Sequence, residues 1–583
     1  MTERVERLLL LAVLAAAVLL MLRPIAPDPF GLVIGAVRSE APRHFWGLWG
    51  TAEHIGEWGP FVAHLELDHP SGYTRHLMDP VNLLFFLPAW GVVGGVEGAI
   101  LGYNLVHVAW TVIGGLGGWL LGRRIAGPGL PALFVAFAVA TTPYLLATPY
   151  LGRTEMLPGM GLPLHLFLLC RALDQDGRWW HALGAGLTLA AVALGGWYLA
   201  SWLLLFEPPL ALWLARGGSG SWPRRLGVLA AVAIAAVLPV LPALAALLDH
   251  PPPILGEEQR VSAHMGICTP PQLLLPFIGN VQGLPGADLA AYPGVLLLLA
   301  GTVGAVRSPR ARPWYVLALV MLALSLGPFL VWTQEPGELL DDPMRLPAWW
   351  VERLIPPLRF IWGWCRLGIW VSFPLALAGG IALRELLERL PRLRYQLFVL
   401  LLMGVAIDHG ADRRPAGVQG DSFDPHPPED LLEALAELPD GAVLQLPLDD
   451  FYMVWQLAHG RPIAESQEIE DARSQSWIVQ QALGVVVQVQ EGEAPDRSDF
   501  GHEVRECGAW DENRLVEQGY AAVVLHRDRL PDAHVQLSWL LTAALGTPIV
   551  DTSTLALWVP ETQAIPSRMR CKLAEVELPA AAP

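Results

Sequence analysis

The sequence predicts an α-helical polytopic membrane protein of about eleven spans with a small C-terminal soluble α/β domain, and three observations predict it. Of the 583 residues, 53% are hydrophobic and only 16% are charged, well short of the roughly 25% charged residues of soluble domains. Apolar runs long enough to cross a bilayer, roughly 17 to 25 residues, recur through the first 408 positions. The net charge of −17 is confined to the remainder: residues 409–583 hold 12 basic and 29 acidic side chains, whereas residues 1–408 hold 26 of each. The composition argues against a soluble enzyme. The acidic block argues against nucleic acid or an anionic lipid surface as its own partner.

The spans fall near 7–23, 98–121, 129–149, 156–173, 181–198, 200–215, 226–248, 291–306, 313–332, 367–387 and 395–408. The first has a basic start and an apolar run that continues to Leu22, too long for a cleaved signal peptide. Short cytoplasmic loops collect arginine, and every second connection here does so. These are Arg123 and Arg124, then Arg171 and Arg178, then Arg216, Arg224 and Arg225, then Arg307, Arg310 and Arg312, then Arg389, Arg392 and Arg394. That register places the N-terminus inside and requires the apolar stretch 80–95 to be an interfacial or re-entrant helix rather than a crossing.

Eleven spans leave residues 24–97, 249–290 and 333–366 as outer loops of a transmembrane domain, 1–408. A Pro- and Gly-containing linker, 409–422, then leads to an acidic extracytoplasmic domain, 423–583. In that tail PEDLLEALAELPDG reads as a helix and AVLQLPL as a strand; ENRLVEQGY and AAVVLHR repeat the order. Five cysteines without a CxxC pair give no zinc signature, and Cys507 and Cys571 are a possible outer disulfide pair.

The first outer loop holds five of the 16 histidines, His44 to His76, among several acids. Imidazole and carboxylate are metal ligands, but the spacing is irregular, so the residues name no metal site and the loop reads as solvated chain on the bilayer surface. Glu207, in LLLFEPPLALW, is the clearest intramembrane acid, and such a group is a functional candidate by default.

The order HFWGLWGTAEHI, then HPSGYTRHLMDPVNLLFFLPAWGVVGG, then a span ending LLGRRIAG, then TTPYLLATPYLGRTEM resembles the start of bacterial GT-C-type membrane glycosyltransferases, nearest their YfhO-like and mannosyltransferase-like relatives. AYPGVLLLLAG, LIPPLRFIWGWCRLGIW, GAVLQLPLDD and GYAAVVLHR extend the likeness more weakly. The resemblance implies inverting transfer of a sugar from a polyprenyl-phosphate donor to a glycan, lipid or protein acceptor at the outer face of a bacterial inner membrane. A divalent metal is allowed but not required, and nucleic acid is not a partner.

It also implies a general base on an acidic residue of the first outer loop, about six positions before Trp46. That position is Glu40, where the family usually has Asp. Each site residue keeps a second reading. Glu40 is the base or a helix-start carboxylate; Asp79 is catalytic, binds donor or metal, or caps the helix at 80–95. Arg153 and Glu155 contact phosphate and acceptor or form an interfacial ion pair. Arg359 and Arg366 bind the phosphate lipid or anchor at the interface. Two other function classes stay open: a non-catalytic membrane assembly or binding protein, and a transporter using Glu207. Glu40, Asp79, Arg153 and Glu155 are expected to converge at one outer cavity.

Overall fold

The computed structural model describes residues 2–37, 39–58, 62–65, 73–76, 80–146, 152–218, 221–249, 292–330, 344–355, 358, 364–410, 422–447, 450–463, 512–530 and 533–561. The chain divides into two compact units. One comprises Met1–Ile55, Gly59–Phe61 and His76–Asp424; the other comprises Gly56–Trp58, Val62–Arg75 and Pro425–Pro583. Part of the first expected outer loop therefore groups with the tail rather than with the helices around it.

The first unit is built of helices: α1 (Glu3–Met21), α2 (Ala41–Trp58), α3 (Leu83–Val93), α4 (Gly95–Ile125), α5 (Leu130–Ala140), α6 (Leu162–Leu173), α7 (Trp179–Gly195), α8 (Trp197–Gly217), α9 (Trp222–Asp249), α10 (Val295–Arg307), α11 (Arg312–Ser325), α12 (Pro347–Leu354), α13 (Gly368–Arg389) and α14 (Arg394–His409). Each predicted span falls on one of them, and five helical stretches are long and apolar enough to cross a membrane. The stretch 80–95 is the short helix α3 behind a 3-10 turn.

Packing follows side-chain size and periodicity. In α1 the buried set Leu10, Val13, Leu14, Ala17 and Met21 is one helical stripe, laid against α4 and α5. A Cβ on Gly118 or Gly122 of α4 would press into Val139 or Val135 of α5, so these small residues let two apolar helices approach closely, the usual solution where lipid gives no hydrophobic drive between helices. The stretch Trp364–Arg389 is the centre of the bundle, 94% of its most apolar window being buried. In Trp222–Ala245 the figure is 17%, and this is a periphery helix.

Two residues per strand, β1 (Val33–Ile34) and β2 (Ser422–Phe423), pair antiparallel and tie the chain after α1 to the chain after α14. The first outer segment is therefore not simply solvated chain, as expected from its polar content. Val33–Ala36 are buried, and α2 buries Ala41, His44, Phe45, Trp46 and Leu48, because its apolar residues recur at helical spacing.

The second unit holds a four-stranded sheet. Strands β3 (Ala442–Leu446) and β4 (Tyr520–His526) are parallel; β5 (Val550–Asp551) and β6 (Leu555–Trp558) complete the order β3-β4-β6-β5 with antiparallel pairings. Both central strands are buried along their length, and α17 (His534–Leu545) covers them with Leu537, Leu540, Leu541 and Ala544, after α15 (Glu429–Glu437) and α16 (Gln456–His459). Val62–Leu65 and Tyr73–His76 form a separate two-stranded ribbon.

Candidate functional site

The site grows from the N-terminus of α2. Glu40 precedes the helix, its carbonyl accepts the His44 amide, and the Ser39 hydroxyl accepts the Ala41 amide. Glu40 and His44 are one helical turn apart and so share a face. Opposite them runs the segment 152–161. Gly152 has φ +69°, and a Cβ there would overlap the Ala41 backbone. Only glycine allows this conformation and this approach together, and the approach delivers Arg153, Thr154 and Glu155 to α2.

The resulting contacts are specific. Arg153 donates from Nε and Nη2 to Glu40 Oε1, at 3.0 and 2.8 Å. His44 Nε2 stands 3.1 Å from Glu155 Oε2 and 3.7 Å from Glu40 Oε2. The other ring nitrogen of His44, Nδ1, meets Thr154 Oγ1 at 3.2 Å. Arg366 lies 3.4 Å from Glu155 Oε1 and stacks on the Tyr198 ring. Asn82, fully buried, donates to the Thr154 carbonyl and accepts from Trp110 Nε1. Its amide thus fixes the backbone that presents Glu155.

Charge balances across the cluster: two carboxylates face two guanidinium groups, with one imidazole between. Burial works to raise the Glu40 carboxyl, yet the charges of Arg153 and Arg366, with hydrogen bonds from His44 and Arg153, hold it well below the usual carboxylate range. About a third of the Glu40 side chain is exposed while Glu155 is sealed at 4%, so Glu40 is the carboxylate an incoming molecule can reach.

Glu40, His44 and Glu155 each offer a ligand atom within 4.8 Å of the others. Glu155 Oε2 is buried and faces His44 Nε2 without an aligned hydrogen bond among the described residues, an acceptor that a cation could satisfy. Two carboxylates and an imidazole suit a zinc-like or manganese-like divalent ion. The second carboxylate oxygens bonded to Arg153 and Arg366 supply outer-shell support.

Of the residues singled out from sequence, Glu40, Arg153, Glu155 and Arg366 come together here. Asp79 and Arg359 lie outside the described residues, as do Cys507 and Cys571. Among the described residues Arg153 bonds to Glu40 and Glu155 meets Arg366, the 3-10 turn Thr154–Gly161 sending the two side chains apart. Glu207 is placed elsewhere, bonded through Oε1 to His165 Nε2 at 2.9 Å. Sequence reasoning passed over Asn82, although a lone amide inside PVNLLFFL was a signal. It counted His44 only as one of five histidines, although Glu40 and His44 already had i, i+4 spacing.

No protein-family model matches the chain, and no curated protein matches it significantly. Solved structures do. ArnT from Cupriavidus metallidurans bound to undecaprenyl phosphate superposes with a TM-score of 0.50 at 12% identity, covering 96% of this chain and 99% of that one. The apo oligosaccharyltransferase of Archaeoglobus fulgidus gives 0.45 at 14% identity, covering 96% and 75%. A Saccharomyces cerevisiae Pmt1–Pmt2 complex bound to the sugar donor gives 0.30 at 14% identity over 47% of this chain and 36% of that one. At such identities the likeness is one of architecture: the chain shares its fold with the ArnT structure along nearly its whole length.

Proposed function

We propose that the protein is a membrane glycosyltransferase that moves a sugar from a polyprenyl-phosphate donor to an acceptor at the outer face of the membrane. The observation that carries this reading is the pairing of Glu40, reachable from outside, with Arg153 and Arg366 in one cluster. It supplies an acid–base group beside two phosphate-binding groups, and the fold is that of an ArnT structure that holds undecaprenyl phosphate. Planar guanidinium groups suit phosphate oxygens.

In the proposed reaction the acceptor hydroxyl attacks the anomeric carbon as the bond from that carbon to the phosphate oxygen breaks. The electron pair stays on the phosphate, and the hydroxyl proton goes to Glu40. Resting ion pairs make Glu40 a weak base, whereas a useful base has a pKa near the working pH. A donor phosphate resolves this: in drawing Arg153 and Arg366 to itself it removes the charges that depress Glu40. Basicity then rises when the donor is in place. Polyprenyl phosphate leaves as an anion stabilised by the same arginines. A divalent ion held by Glu40, His44 and Glu155 would instead make Glu40 a ligand rather than the base, and would supply charge stabilisation of the leaving group.

The accompanying topology has eleven spans, the N-terminus inside and the domain 423–583 outside. Cys365, at the head of the central helical stretch near the site, is disulfide-bonded, which fits an oxidising compartment on that face. Cells lacking the protein, complemented with wild type or Glu40→Gln, test the activity through their lipid-linked glycan profile. Wild type restores a product that the variant does not; identical profiles in all three strains reject the reading. A reporter fused after Gly420 tests sidedness, and cytoplasmic activity there rejects the span register.

A further inference from the structure

Tyr198 stands against the polar cluster, and the reaction proposed above does not use it. It opens α8 directly behind Gly195 and Gly196, the break between α7 and α8. A Cβ on Gly195 would come within 2.7 Å of the Pro158 side chain and 3.0 Å of the Glu155 carbonyl oxygen. Only a residue without a side chain lets this junction lie on the turn that presents Glu155. One turn further along α8, Trp202 is fully buried and meets the Trp370 ring edge to face at 5.7 Å, while Trp370 Nε1 donates to the Gly159 carbonyl at 3.1 Å. The start of α8 is therefore fixed to the segment 155–159 at two places.

On that frame the Tyr198 ring carries the Arg366 guanidinium, 4.5 Å from the ring centroid, and Arg366 in turn lies 3.4 Å from Glu155 Oε1. The cation occupies a face of the ring. The phenolic O–H lies in the ring plane, outside that stack. Tyr198 is half-buried, and its hydroxyl makes no hydrogen bond among the described residues. Carrying Arg366 needs only the ring, which a phenylalanine would supply equally. The hydroxyl is thus a polar group beside the cluster with nothing to bond to, whereas a tyrosine O–H drawn out of water usually has a partner.

We infer that Tyr198 is a donor-binding residue whose hydroxyl donates a hydrogen bond to the phosphate of the polyprenyl-phosphate donor. The inference rests on the transferase reading and adds to it a contact that does not depend on how the arginines are paired. A phenol with its ordinary pKa near 10 is a neutral O–H donor at neutral pH, and the unprotonated oxygens of a phosphate only accept. A hydrogen bond from a neutral donor to a charged oxygen is stronger than one between neutral groups. As the bond from the anomeric carbon to the phosphate oxygen breaks, charge accumulates on the leaving phosphate, and the same O–H bonds to it more strongly than to the intact donor.

The test is native mass spectrometry of the full-length protein in detergent, titrated separately with undecaprenyl phosphate and with undecaprenol, which has the same tail and no phosphate. Tyr198→Phe keeps the ring and the stacking on Arg366 and removes only the hydroxyl. It should weaken the binding of undecaprenyl phosphate by about tenfold, the worth of one hydrogen bond to a charged group, and leave undecaprenol binding unchanged. Undecaprenyl phosphate bound equally well by wild type and Tyr198→Phe would overturn the inference, and so would a loss of the same size for undecaprenol, which would place the hydroxyl on the lipid tail. In either case the donor reading stands as long as wild type prefers the phosphate. A wild type that holds undecaprenyl phosphate no better than undecaprenol rejects the donor reading and this inference with it.

Discussion

Two acid–histidine pairs lie within the helical unit, and they differ in what surrounds the carboxylate. Glu155 with His44 sits among Glu40, Arg153, Arg366 and Thr154, where one acid of the set is a third exposed. Glu207 with His165 has no arginine beside it among the described residues. His165 Nδ1 lies 2.8 Å from the Ala185 carbonyl, which can only accept, so Nδ1 carries a proton and one further proton is shared between Nε2 and Glu207. That pair is neutral wherever the shared proton rests, and it ties together α6, α7 and α8. A self-neutralising pair with no described charge beside it holds helices. A cluster of several charges with one open edge can exchange a partner. The comparison favours Glu40 over Glu207 as the group that meets a substrate and weakens the transporter reading.

The sharpest way to break this comparison is to remove one member of each set. Glu40→Gln should lower sugar transfer by about 10²- to 10⁴-fold, the range for loss of a positioned base, with a smaller fall in melting temperature than His165→Ala because Glu40 is a third exposed. Transfer within threefold of wild type would remove Glu40 from the reaction and leave Asp79 as the better candidate. His165→Ala should act oppositely, costing about 3–5 kcal/mol in stability because Glu207 loses its partner. Thermal unfolding in detergent measures this; an unchanged melt would mean that the pair holds nothing.

Gly152→Ala sharpens the contrast from the backbone side. The substitution strains a left-handed residue and displaces Arg153 from Glu40, at about 1–3 kcal/mol, and transfer should fall with it while the His165 region stays intact. Glu207→Gln should cost only about 1 kcal/mol, since an amide still bonds to the imidazole, and should leave transfer near wild type. A large loss of transfer there would revive an intramembrane proton role.

The smallest effect is in pH dependence. Glu40 is held well below its ordinary value of 4.5, so its ion pairs stabilise the folded state above that value, and the benefit is lost only as pH falls through the lower folded value. The difference in melting temperature between wild type and Glu40→Gln should therefore be flat from pH 7 to 5. A difference that already shrinks at pH 6 would mean that Arg153 does not hold the carboxylate as described.

Much of the helical unit was legible in the sequence because lipid imposes long apolar runs and arginine marks their ends; the runs near 98–121, 226–248 and 367–387 stand on α4, α9 and α13. The site was legible only in part. Glu40, Arg153, Glu155 and Arg366 carried their chemistry in the sequence, one in an acidic loop and three at span ends, but which acid meets which arginine was not written there. The sequence left Arg153 and Glu155 either as an ion pair or as contacts for phosphate and acceptor, and the 3-10 turn directs them to Glu40 and to Arg366.

By itself, then, the sequence determined what local physics can specify: apolar length, helical periodicity and the confinement of acidity to residues 409–583. The tertiary structure decided what depends on residues far apart in the chain. It brought Glu40 to Arg153 and Glu155 to Arg366, placed His44 between the two carboxylates, and set Asn82 behind Thr154. Such contacts join positions 72 to 211 residues apart. A pattern read within a window of a few turns has no access to them, because a side chain's partner is fixed by which helices pack together rather than by its neighbours along the chain.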